Sequence, residues 1–188
     1  MGLDMYLYCN SRTLTQKVHE GEPYGEYITE FYRSRGIVMY WRKANAIHKW
    51  FVDNVQDGKD DCGIYEVEWE QLVKLRDICK RIVDECPLRD GTVRNGATFK
   101  DGQWHDNLED GKVMTNVSLA EELLPTQSGF FFGGYDYDQW YYEDLSWTVG
   151  EIDRSGAMLE DRKLHFWTEK VLPEEPDWCV TFYYHSSW

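Results

Sequence analysis

Between Trp69 and Cys86 the chain carries one unbroken helical stripe. Leu72, Val73, Leu75, Ile78, Cys79, Ile82 and Val83 recur at helical steps on a single broad face, and Pro87 stops the run. A stripe this wide must be covered by another element, so the rest of the chain has to supply a partner surface. Trp41, Ala44, Ile47, His48, Phe51, Val52 and Val55 predict a second helix over 40–55, closed by Gln56-Asp57-Gly58 with the glycine suited to a left-handed end. Trp140, Tyr141, Leu145, Thr148, Val149 and Ile152 mark the inner face of a third helix, from Tyr135 to about Leu159, entered at Asp136 or Asp138.

Strand signals lie between these helices. Met5–Cys9 alternates, Ile64–Val67 is a short candidate, Gly129–Gly133 is apolar between glycines, and Trp178–Tyr184 is β-rich and expected to pair near the N-terminus. Residues 10–36 are polar and broken by glycine and proline, which predicts a loop or short hairpin. Asp-Gly at 90, 101 and 110 and Asn-Gly at 95 predict a hairpin-rich surface insertion over 88–116. Ser118, with Glu121 three residues on, predicts a short capped helix to Leu124. The expectation is an α+β fold, with about three long helices packed on one face of a small, mainly antiparallel sheet, and one domain over 1–188.

Nine Trp, thirteen Tyr and eight Phe give this core its material, since each ring buries roughly 150–250 Å². The formal charge is −14, and it is lopsided: residues 1–56 sum to +1 and residues 57–188 to −15. Such a field disfavours direct binding to nucleic acid or an anionic membrane, and favours a basic protein surface. The five cysteines show no CxxC spacing, MGLDMYLY does not read as a signal peptide, and no long apolar run exists. The expectation from these features is a reducing cytoplasm.

Three segments are candidate sites. Arg42, Lys43 and His48 lead into Asp60 and Asp61, where carboxylates follow a helix end that already carries negative partial charge. A calcium loop starting at Asp53 fails there, because Val55 and Ile64 occupy ligand positions, so no metal is expected. His48 reads either as a core histidine or as a ligand. Gln127 and Ser128 belong to a glycine-flanked polar turn that lacks the lysine of a phosphate loop. Tyr135, Asp136, Tyr137, Asp138, Glu143 and Asp144 form an acidic aromatic run, either an ordinary amphipathic helix start or a surface that grips a basic partner. No catalytic triad, metalloprotease or deaminase pattern is present among the five histidines, and no cofactor motif is found, so an enzyme is the lesser expectation.

Four segments, MGLDMYLY, YWRKANAIHKWFVDNVQDGKDDCG, LLPTQSGFFFGG with YDYDQWYYEDL, and FYYHSSW, resemble a family of small bacteriophage and prophage proteins of unassigned function. The resemblance is weakest over 10–36 and 88–116. It implies a viral accessory protein acting in the host bacterial cytoplasm, and it carries over no catalytic residue. Together with the charge, it suggests a protein that binds and inhibits or redirects a host protein. An antiviral defence nuclease would be such a target, met by acidic mimicry of nucleic acid as in an anti-CRISPR protein. The alternative is a small metal- or nucleotide-binding enzyme, or a ligand-binding protein, using the Arg42–His48 helix, the Asp57–Asp61 loop and the Thr126–Ser128 turn. A homo-oligomer is a further option.

Overall fold

The computed structural model describes residues 2–18, 27–129, 132–168 and 179–188. Its elements run β1 (Asp4–Val18), β2 (Tyr27–Arg42), α1 (Asn45–Asn54), β3 (Ile64–Val67), α2 (Trp69–Glu85), β4 (Leu88–Lys100), β5 (Gln103–Met114), α3 (Val117–Leu123), α4 (Gln139–Thr168) and β6 (Cys179–Ser187). The α+β class holds. The main sheet has the order β2-β1-β6-β3 with every neighbour antiparallel, and β4 and β5 form a separate ribbon.

Strand alternation places Leu3, Met5, Leu7, Met39, Trp41, Phe182 and Tyr184 on one face, where all are buried. The helices cover that face. α1 stacks Phe51 on Tyr184 at 3.9 Å between ring centres, and α4 receives the Trp41 indole N–H on Thr148 Oγ1 at 2.8 Å. The predicted stripe of α2 packs inward, with Leu72, Leu75, Cys79 and Ile82 buried. Gln71 fastens this helix at its start: its side-chain oxygen accepts the Glu68 N–H and its amide donates to Asn54 O, both at 2.9 Å.

Several expectations need correction. Residues 40–42 belong to β2 and not to a helix, because Trp41 faces the core by strand alternation opposite Met5. Lys43, at φ 60°, turns the chain so that α1 starts only at Asn45. Residues 11–18 and 27–36 extend β1 and β2 as a long antiparallel pair, where a loop or short hairpin was expected. Cross-strand backbone bonds need no apolar pattern, so a polar sequence hid them. α3 starts at Val117 after a left-handed Asn116, and Ser118 is not its cap. Helices number four among the described residues, of which α2 and α4 are the long ones.

The ribbon also sorts its four turn signals. Asp101-Gly102, both at positive φ, is the hairpin turn. Asn95-Gly96 is a bulge, Gly96 taking φ 76° where the register shifts between Arg94 and Ala97. Asp90-Gly91 and Asp110-Gly111 lie opposite one another within the ladder and turn nothing. Of the strand expected over Gly129–Gly133, the described residues Gly129, Phe132 and Gly133 form loop, with the Phe132 N–H turned back onto Gly129 O at 3.2 Å. Phe130, Phe131 and Trp178 lie outside the described residues.

Candidate functional site

A cleft of about 760 Å³ opens where the start of α1, the loop before α4, the start of α4 and the β4–β5 ribbon meet. Lys43 sits at its edge because the left-handed turn after β2 throws its side chain there, against Gly133, which itself takes φ 87°. A methyl group added to Gly133 would lie 2.9 Å from Lys43 Cβ, so only glycine fits this approach.

Asn45 assembles the loop wall. Its amide donates to Phe132 O (3.1 Å) and Gly134 O (2.6 Å), and its carbonyl accepts the Gln127 N–H (2.9 Å). One buried side chain thereby fastens three points of a segment more than 80 residues away. Tyr137 backs the wall without lining the cleft: its hydroxyl accepts the Thr126 N–H at 3.2 Å, and its ring meets Tyr141 edge-on.

The floor is acidic. Asp138 is the N-cap of α4, its Oδ1 accepting the N–H groups of Trp140 (3.0 Å) and Tyr141 (3.3 Å). The cap is buried, and burial pushes its carboxyl pKa up. Glu143 is exposed and Asp144 half-buried one turn further on. Burial first, then the neighbouring Glu143 and Asp138, raise the Asp144 pKa to about 7. The Asp144 carboxylate has no ion pair and no hydrogen bond among the described residues. Asp136, by contrast, pairs with Arg94 at 3.2 Å, and the Arg94 guanidinium lies 4.7 Å from the centre of the Tyr135 ring. Arg42 and Lys43 line the same cleft with no ion-pair partner among the described residues.

The acidic aromatic run is therefore not a uniform outward face. Tyr135 is exposed, Tyr137 half-buried and Asp138 buried, because α4 starts at Gln139 and the residues before it form loop and cap. Trp140, expected on the inner face, is partly exposed, and Tyr141 takes the buried place.

Six of the sequence candidates do not line the cleft: Tyr137, already placed behind its wall, and the five that follow. His48 is fully buried, with Nδ1 2.7 Å from the Tyr184 hydroxyl and Nε2 3.1 Å from Asp60 Oδ1. Burial lowers its pKa, with the Asp60 carboxylate pulling the other way. Asp60 also accepts the Trp188 indole N–H at 3.0 Å. Asp61 is exposed and accepts from Tyr65 Oη and Gly63 N at 2.9 Å, contacts that lower its pKa. Gln127 enters only as the backbone donor to Asn45, and Ser128 is exposed. Sequence reasoning leaves out Arg94 and Trp188, and takes in Asn45 only as part of the Arg42–His48 segment. Arg94 stood beside an Asn-Gly signal that marked its bulge, but no local signal tied Asn45 or Trp188 to partners so distant in the chain.

Among the described residues no three His, Cys, Asp or Glu side chains converge to hold a metal ion, and no helix is long and apolar enough to cross a membrane. Set against models of known protein families, curated proteins and solved structures, the chain matches none.

Proposed function

We propose that this chain is a partner-binding protein whose cleft beside the start of α4 seats a basic side chain of another protein. The observation that carries this reading is Asp144. It is a half-buried carboxylate without a partner among the described residues, raised to about 7 by burial and by Glu143 and Asp138. A lysine or arginine entering the cleft stabilises its charged form and relieves that repulsion, a gain the free protein lacks. The net charge of −14 adds long-range attraction for a cationic surface. The resemblance to phage-encoded proteins supplies the setting: an accessory protein that inhibits or redirects a host protein in the bacterial cytoplasm. A defence nuclease, whose nucleic-acid channel is basic, is the type of target such an acidic site suits.

The test is capture of host proteins by the wild type and by a Glu143→Lys/Asp144→Lys variant, at low and high salt. The reading predicts a partner that is lost in both the variant and high salt. Partners indifferent to both changes would count against it.

A second reading draws on Arg42 and Lys43, two cations in the same cleft without carboxylate partners among the described residues. They suit a small ligand that carries an anionic group, such as a nucleotide. Thermal unfolding with nucleotides, with and without divalent metal, separates the two: a ligand at about 100-fold its Kd stabilises by roughly 2.7 kcal/mol.

A further inference from the structure

The β4–β5 ribbon carries three large apolar side chains in water: Phe99, Trp104 and Leu108 are 59%, 71% and 67% exposed. Their placement follows from the ladder. Alternate residues of one strand share a face, so Trp104, Asp106 and Leu108 of β5 point to the same side. Their cross-strand partners, Phe99, Ala97 and Arg94, point there too. Two contacts agree with this assignment: the Phe99 and Trp104 rings lie 5.3 Å apart, and Arg94 Nη1 lies 3.6 Å from Asp106 Oδ1. Arg94 and Ala97 also line the cleft. The exposed apolar residues therefore stand on the cleft side of the ribbon and prolong its wall outward.

We infer that this ribbon face and the acidic cleft form one continuous docking surface for a protein segment that presents apolar residues beside lysine or arginine. The inference rests on the proposed role of the cleft and adds the partner's chemistry to it. Trp104 and Phe99 supply the kind of large, rigid contact that concentrates binding energy at interfaces. By alternation Asp106, Asp110 and Lys112 share this face with Arg94, which pairs with Asp106, so the border of the patch is mixed in charge. The acidity at the cleft end, where Glu143 and Asp144 have no ion pair among the described residues, matches a cationic segment. It also disfavours a second copy of this chain, since each copy carries −14.

The probe is a synthetic helical peptide with leucine on one face and lysine on the other. The control peptide carries the same lysines with serine in place of leucine. Binding of both is measured by calorimetry to the wild type, to Trp104→Ser/Leu108→Ser and to Glu143→Gln/Asp144→Asn. The ribbon variant should keep the wild-type melting temperature, bind the leucine peptide about tenfold more weakly or worse, and bind the serine peptide unchanged. The cleft variant should weaken on both peptides. Equal affinity of the ribbon variant and the wild type for the leucine peptide would remove the ribbon from the surface and leave the cleft reading standing. No binding of either peptide to the wild type would end both. A wild-type oligomer that the ribbon variant dissolves into monomers, seen by sedimentation, would reassign the face to self-association.

Discussion

His48 and Tyr184 join α1 to β6 through a 2.7 Å contact between groups 136 residues apart in the chain. The pair holds the imidazole in a fully buried position, where charge is costly, and the pKa falls below that of a free histidine. Above the ordinary histidine pKa near 6.5, both folded and unfolded chains hold His48 neutral. As pH falls through that value the unfolded chain takes up a proton that the folded chain resists, so this group's contribution to stability is lost on the acid side. Urea midpoints measured from pH 8 to pH 5 should therefore decline more steeply in the wild type than in His48→Asn. Parallel profiles would show that His48 does not set the slope.

Asp144 has the opposite sign. Its pKa is raised to about 7 in the folded chain, against 3.8 for an ordinary aspartate. Between those values the folded chain keeps a proton that the unfolded chain has released, so this carboxyl favours folding at low pH and opposes it as pH rises through 7. Asp144→Asn should stabilise the protein at pH 8 by about 1–3 kcal/mol, with the gain vanishing near pH 4. Chemical denaturation at the two pH values checks it, and equal stability at pH 8 would mean that the carboxylate is solvated.

Asn45→Ala removes the three bonds that fasten the loop before α4. It leaves Phe132 O, Gly134 O and the Gln127 N–H unpaired near the core. A loss of about 1–3 kcal/mol is expected, together with faster amide exchange at Gln127. Unchanged exchange there would show that the loop is held by other contacts.

Core and ribbon should respond differently to truncation. Leu75 is fully buried on the inner face of α2, and Leu75→Ala should cost about 2–5 kcal/mol. Leu108 stands in water, and Leu108→Ser should change stability by no more than about 0.5 kcal/mol. Thermal melts of the two variants give the comparison directly. A large loss on Leu108→Ser would place that side chain in a packed environment.

What could be read from the linear chain was what depends on local periodicity. The α2 stripe, stopped by Pro87, the Asp101-Gly102 turn and the N-capping Asp138 all act within a few residues of themselves, and their chemistry is visible there. Gly58, expected to close the helix, takes its left-handed place in the turn beyond the Val55 C-cap of α1. Tertiary contacts decided the rest. The boundary of α1 moved to Asn45 because pairing with β1 claimed Trp41 for a strand, where helical spacing alone fitted a helix as well. The long β1–β2 pairing arises from backbone groups that carry no side-chain signature. The cleft needed both kinds of information. Its acids were evident as a run and the Asp138 cap is local, but the Asp136 ion pair depends on Arg94 and the loop wall on Asn45, both brought from other elements by folding. Burial and partnership set the charge state of a side chain, and both are properties of the folded neighbourhood and not of the residue.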